Sequence, residues 1–220
     1  MLPEFLRALR TATTLNMMPI DPSSGGPTSW RSALPDETSG AMTLREPGPG
    51  DVDALVDLLS LSDATRFGLD EPISEASVRR LIDRITGERT AGLSFTYVVT
   101  LTPTRRVVGL VQVRQLDAAF EAAEWECTIA PSARGTGVFV ETARLVCSFA
   151  FGPVGVHRLE ARVEVENGRA NGALRKLGAI QEGILRRSTR RGATYADQAL
   201  WALLKEDWDT RAAATRPRVH

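Results

Sequence analysis

The junction at Ala130–Phe151 constrains the fold more than any other stretch of this chain. An alternating strand ends there, the sequence passes through Arg134-Gly135-Thr136-Gly137, and it runs directly into a helical pattern with Val138, Leu145, Val146, Phe149 and Ala150 on one side. Glu141, Arg144 and Ser148 mark the wet side. A strand that feeds a helix through a glycine turn aims backbone N–H groups at an anion. The first helical turn has donors without internal partners and a positive dipole end, and glycine lets a phosphate approach the backbone. Each charge-assisted hydrogen bond of this kind is worth about 1.5–3 kcal/mol. Residues 134–139 therefore read as a pyrophosphate cradle, whereas Gly135 and Gly137 in isolation would serve a tight turn equally well. Spacing excludes two nucleotide motifs, because no Lys-Ser/Thr follows the glycines and no complete Gly-x-Gly-x-x-Gly is present.

Composition narrows the remaining classes. With 220 residues, 43% of them apolar, the chain can build one well-cored domain with extensions. Its 27 basic and 27 acidic side chains balance, so no global field calls for nucleic acid or a membrane. No apolar run approaches the roughly 18 residues of a membrane span. Cys127 and Cys147 fit no metal spacing and are expected to be reduced, in a cytoplasmic protein. His157 and His220, the only histidines, are too few for a histidine zinc site or a Ser-His-Asp triad, and no metal is expected.

Residues 1–40 read as a flexible extension. Phe5, Leu6 and Leu9 can form one face of a short helix, Asp21–Thr28 has linker chemistry, and only Trp30 and Leu34 are expected to dock. Arg7, Arg10 and the threonines would suit a transit peptide; an over-long start, with Met17 or Met18 as the first residue, reads better. The domain is expected over residues 41–210, with 211–220 a disordered tail. Met42–Glu46 reads as a strand, and Asp51 and Ser74 cap helices over Val52–Leu61 and Ser74–Thr86. Strands follow at Phe95–Leu101, Val107–Gln115 and Ala122–Ile129. After the central helix, Arg158–Glu166 alternates, with Leu159, Ala161, Val163 and Val165 inward. Asn167–Leu177 is a helix stopped by Gly178, and Ile180–Arg187 and Thr194–Leu203 are the last strands. This order gives an α/β (α+β) fold with a mixed, mostly antiparallel sheet of about seven strands and about four helices packed on it.

Taken together, these segments resemble the GNAT N-acetyltransferase superfamily, in the branch of the ribosomal-protein serine and alanine N-acetyltransferases, over about Met42–Trp208. Pro131-Ser-Ala-Arg-Gly-Thr-Gly-Val-Phe-Val-Glu141 is similar to that family's pyrophosphate loop. His157-Arg-Leu-Glu-Ala161, Asn167 ahead of Lys176-Leu-Gly178, Glu182-Gly-Ile-Leu-Arg186, Asp197 and Trp208 support it. The resemblance implies acetyl-CoA as co-substrate and a V-shaped splay between the fourth and fifth expected strands. The pantetheine arm would extend the sheet there by backbone pairing. It assigns cofactor contacts to Cys127, Thr128, Ile129, Arg134, Gly135, Thr136, Gly137, Val138, Phe139, Asn167, Asn171 and Lys176. Three departures stand out. Phe139 occupies a usual Gly or Ala position and is expected to turn away onto neighbouring helices. Ala170 replaces a common Ser, leaving Asn171 to substitute. The helix after Asn167 has no Tyr to protonate the thiolate.

Acetyl transfer needs a neutral amine, a donor for the developing oxyanion and a route for the proton. Neutralising a lysine at pH 7 costs about 4–5 kcal/mol, an α-amine only about 1. Glu124 and Glu126 share one strand face, about 6–7 Å apart, and either can take the proton unless Arg114 or Arg162 holds it. Backbone N–H groups near Cys127–Ile129 are the natural oxyanion donors. Cys127 itself reads as a buried strand residue more readily than as a nucleophile. Arg186, Arg187, Arg190 and Arg191 can face an acidic partner but read more readily as a solvated turn. The expected activity is direct acetylation of a primary amine, on a protein N-terminus or a small molecule, in a possible homodimer. The alternative is a non-catalytic acyl-CoA-binding or interaction module.

Overall fold

The computed structural model describes residues 29–61, 67, 72–191 and 193–215, with side chains through Thr210. Expectations for the segment before residue 29 lie outside the described residues. The strands are β1 (Glu37–Ser39), β2 (Met42–Arg45), β3 (Ser94–Leu101), β4 (Arg106–Gln115), β5 (Ala122–Ile129), β6 (Arg158–Glu164), β7 (Ile180–Arg191) and β8 (Thr194–Leu204). The helices are α1 (Val52–Ser60), α2 (Glu75–Ala91), α3 (Val138–Phe149), α4 (Gly168–Leu177) and α5 (Lys205–Thr215). One eight-stranded sheet runs β1-β2-β3-β4-β5-β6-β8-β7, antiparallel except between β5 and β6.

Several boundaries differ from the sequence reading, each for a physical reason. The fold begins before residue 41. Trp30 sits edge-on to Phe120 and Phe95, with ring centroids 5.6 and 6.0 Å away, Leu34 is buried, and β1 pairs with β2. Helix α2 runs five residues past Thr86, to a left-handed cap at Gly92 (φ 76°), because its last turn is fixed by tertiary contacts. In that turn Arg89 is buried, its Nε donating to Glu46 at 2.6 Å, while its guanidinium also donates to the Arg31 carbonyl. At the other end, α5 carries regular structure to Thr215, into the segment expected to be a tail. Strand β6 stops at Glu164, so Val165, expected inward, is 46% exposed.

The two sheet faces have different chemistry. Against α3 and α4 lies an apolar core that includes Phe95, Tyr97, Val111, Val113, Trp125, Ala161 and Leu174. Against α1 and α2, a second apolar cluster around Leu55, Leu81, Val98 and Leu110 gives way to charged residues toward β5 and β6. Tyr97 is fully buried on the first face, and its hydroxyl has no hydrogen-bond partner. Leaving such a group unpaired costs about 1–3 kcal/mol. Tyr97→Phe is therefore expected to be neutral or stabilising by up to about that amount in urea titration. A loss of stability would mean that the hydroxyl is bonded after all.

Asp51 gives the fold an acid limb. Burial raises its pKa, but hydrogen bonds from Arg45 (2.8 and 2.6 Å) and from the Gly48 N–H (2.8 Å), with the Arg45 charge, outweigh burial and set it below the ordinary carboxylate value. A folded-state value below the unfolded one stabilises the fold above about pH 4 and is lost as pH falls through the folded value. Asp51→Asn is expected to cost about 1–3 kcal/mol at pH 7, with the gap to wild type closing toward pH 2. Denaturant midpoints across that range provide the check.

Candidate active site

Strands β5 and β6 are joined only over Ala122↔Arg158, Ala123↔Leu159 and Glu124↔Glu160. Beyond these pairs they separate, and a cleft opens between them. Trp125, Glu126 and Cys127 line it from β5, Ala161, Arg162 and Val163 from β6, Phe139 from α3, and Asn167, Ala170 and Leu174 from the α4 segment.

The hydrogen-bond alternation of the ladder decides which backbone groups reach this gap. Ala130 N–H donates to Val108 and Leu116 N–H donates to Ala122. Even-numbered residues of β5 therefore turn their backbone to β4, and odd-numbered ones turn it toward β6. Cys127 N–H and C=O and Ile129 N–H thus face the gap, while the Ile129 carbonyl accepts from Arg134 Nε at 3.0 Å. Thr128, expected among the cofactor contacts, does not face the gap, because its backbone pairs toward Leu110 of β4.

The glycine loop has the geometry its sequence implies. Gly135 (φ 80°) and Gly137 (φ 90°) are left-handed, and a Cβ built on either meets no protein atom within 4 Å. The space beside both glycines is open to a ligand. Gly137 is the N-cap of α3, so the N–H groups of Val138, Phe139 and Val140 form its unpaired first turn. Thr136 Oγ1 donates to the Ala133 carbonyl at 2.7 Å, and with the Arg134 contact it braces the loop against the end of β5. This set of donors fits a pyrophosphate.

Of three other expected contacts, Asn167 lines the cleft and Asn171 and Lys176 do not. Asn167 lines the cleft, but its Oδ1 caps α4 by accepting from Ala170 N–H at 3.1 Å. The Asn171 amide is engaged: Nδ2 donates to the carbonyls of Glu164, Val165 and Asn167, and Oδ1 accepts from Trp201 Nε1 at 2.8 Å. It does not stand in for the hydroxyl missing at Ala170. Lys176 is exposed and away from the cleft, since nine helical residues put it half a turn round α4 from Asn167. Phe139, expected to turn onto helices, instead lies over the indole of Trp125, with centroids 5.8 Å apart and planes at 32°.

On the α1/α2 side the carboxylates divide. Glu124 is buried, with Oε2 accepting from Arg114 Nη2 at 2.6 Å and Oε1 3.6 Å from Arg162 Nε. The row continues through Glu160 and Arg158 to Glu182, whose carboxylate Arg158 holds in two hydrogen bonds of 2.8 and 2.5 Å. These bonds hold the Glu182 carboxyl below its usual range. Glu126 reaches the cleft, 3.8 Å from Arg114 Nη2. Burial pushes the Cys127 thiol up to about 12, so at neutral pH it is not a thiolate nucleophile.

The family model of the acetyltransferase (GNAT) domain matches residues 41–180. The chain belongs to the GNAT family. It is 24% identical over 168 residues to an uncharacterised N-acetyltransferase, p20, of Bacillus licheniformis, which covers 76% of this chain and 94% of the relative. Among solved structures, the ribosomal-protein-S5-alanine acetyltransferase of Vibrio fischeri superposes with a TM-score of 0.69 at 16% identity, covering 79% of this chain and 98% of that one. Mycobacterium smegmatis RimJ, in complex with CoA-disulfide, superposes with a TM-score of 0.68 at 22% identity, covering 79% and 88%. This GNAT domain is thus an N-acetyltransferase. The GNAT family uses acetyl-CoA, and the N–H donors at 134–139 and the opening between β5 and β6 fit such a group.

Proposed function

We propose that this enzyme acetylates an α-amino group, that of a peptide N-terminus, by direct transfer from acetyl-CoA. The observation that carries the reading is that the cleft is lined by residues from both faces of the sheet. Its α3/α4 side is mostly apolar and includes Phe139, two residues after Gly137, and its α1/α2 side presents Glu126 and Arg162. The co-substrate supplies an activated thioester acyl group. The residues do the rest: the turn at 134–139 binds the pyrophosphate, Cys127 N–H takes the charge that develops on the acyl oxygen, and Glu126 accepts the proton of the incoming amine. As the N–C bond forms and the C–S bond breaks, the departing sulfur is protonated from solvent. Neither tyrosine lines the cleft, Tyr97 being buried in the core and Tyr195 exposed on β8.

An α-amine suits this site. Glu124 is buried between two guanidinium groups, whereas Glu126, which also pairs with Arg114 at 3.8 Å, lines the cleft. Modest basic assistance suffices for an amine whose neutralisation costs about 1 kcal/mol. A seryl or alanyl peptide is expected to be acetylated at its α-amine, by mass spectrometry, and the same peptide with a blocked N-terminus and a free lysine is not. Turnover only of the lysine or of a polyamine would overturn the choice of acceptor.

A further inference from the structure

We infer that the Phe139–Trp125 pair is an aromatic wall that grips the pantetheine arm, so that this chain holds its donor by the arm more than by the nucleotide. The inference rests on the acetyl-CoA reading above. Both rings line the cleft, and the remaining wall on that side is Cys127, Ala161, Val163, Ala170 and Leu174, with Asn167 the one amide on it. Most polar side-chain atoms near the arm's path are engaged within the protein, the Asn167 amide through its oxygen alone. Arg134 bonds Ile129 O, Thr136 bonds Ala133 O, Asn167 Oδ1 caps α4, and Asn171 is bonded at both amide atoms. Backbone N–H groups can serve the pyrophosphate and the arm's amides. Side-chain contact along the arm is then chiefly apolar, and Phe139 is the partly buried aromatic ring on the cleft that offers it.

Phe139 also sits on the first turn of α3, two residues after Gly137, with its ring on a residue of β5. It therefore spans the distance between the pyrophosphate end and the start of the split. A smaller residue there would leave the indole uncovered and the arm without its apolar partner.

The test titrates CoA, and adenosine bisphosphate as the cofactor half that lacks the arm, into wild type, Phe139→Ala and Phe139→Leu, read by calorimetry and by Trp fluorescence. Wild type is expected to bind CoA far more tightly than the bisphosphate. Phe139→Ala should weaken CoA about tenfold or more, the worth of one buried aromatic side chain, and leave the bisphosphate unchanged. Phe139→Leu should recover most of the loss. The inference is overturned if Phe139→Ala binds CoA as wild type does, binds it more tightly because the ring obstructs the slot, or weakens both ligands equally. Wild type that binds neither ligand would overturn the acetyl-CoA reading itself, a result distinct from these.

Discussion

Glu126→Gln is expected to lower kcat toward an alanyl peptide by about 10²- to 10⁴-fold at neutral pH while leaving acetyl-CoA affinity unchanged. Glutamine keeps the size of the side chain and removes its ability to accept the amine's proton, so the loss falls on the chemical step. Glu126 is singled out by position. It and Glu124 both lie on the α1/α2 face, but Glu126 lines the cleft whereas both Glu124 oxygens face guanidinium groups. Glu124→Gln should act chiefly on stability, because it leaves Arg114 and Arg162 facing a neutral amide. A denaturant midpoint lowered by Glu124→Gln, with a smaller fall in kcat than for Glu126→Gln, is the expected pattern. The reverse order would assign proton transfer to Glu124.

Gly137→Val is expected to weaken acetyl-CoA binding by about 100-fold or more, equivalent to losing two charge-assisted hydrogen bonds at the helix terminus. Gly137 adopts φ 90°, where a β-branched residue is strained, and its missing Cβ points into space that no protein atom fills. A valine there either forces the loop out of its left-handed turn or occupies the phosphate's position. Gly40→Ala is the control: φ is 53° in the β1–β2 turn and the Cβ again meets nothing within 4 Å, so backbone strain is added away from the cleft. Stability should fall modestly there while calorimetric affinity for acetyl-CoA is retained. Equal affinities for wild type and Gly137→Val would remove the loop from the cofactor site.

The strand–glycine–helix junction was legible in the sequence because its information is local: two glycines, a following amphipathic pattern and a preceding alternation. The same holds for the Asn167 to Gly178 helix, whose cap and stop are both sequence signals. The division of labour between Glu124 and Glu126 was not legible. It depends on register across three strands, which sets Arg114 opposite Glu124 and brings Arg162 alongside. Nor could the sequence aim Phe139, because Trp125, the residue it covers, belongs to a different element. Strand β1 is three polar residues without an apolar alternation and left no periodic signal. Thr86-Gly87 looked like the end of α2, yet the helix continues because Arg89 and Glu88 bond outside it, to Glu46 and Ser94. The place of Lys176 was legible too, since counting residues around the helix puts it opposite Asn167.

The most direct measurement is the initial rate of α-amine acetylation with acetyl-CoA and an alanyl peptide varied together. Direct transfer across the β5–β6 gap, with the Cys127 thiol held protonated, predicts intersecting double-reciprocal lines, one for each fixed peptide concentration. It also predicts no acetyl group on the protein after incubation with acetyl-CoA alone. Parallel lines with an acetylated Cys127, or no transfer to any α-amine, would contradict it.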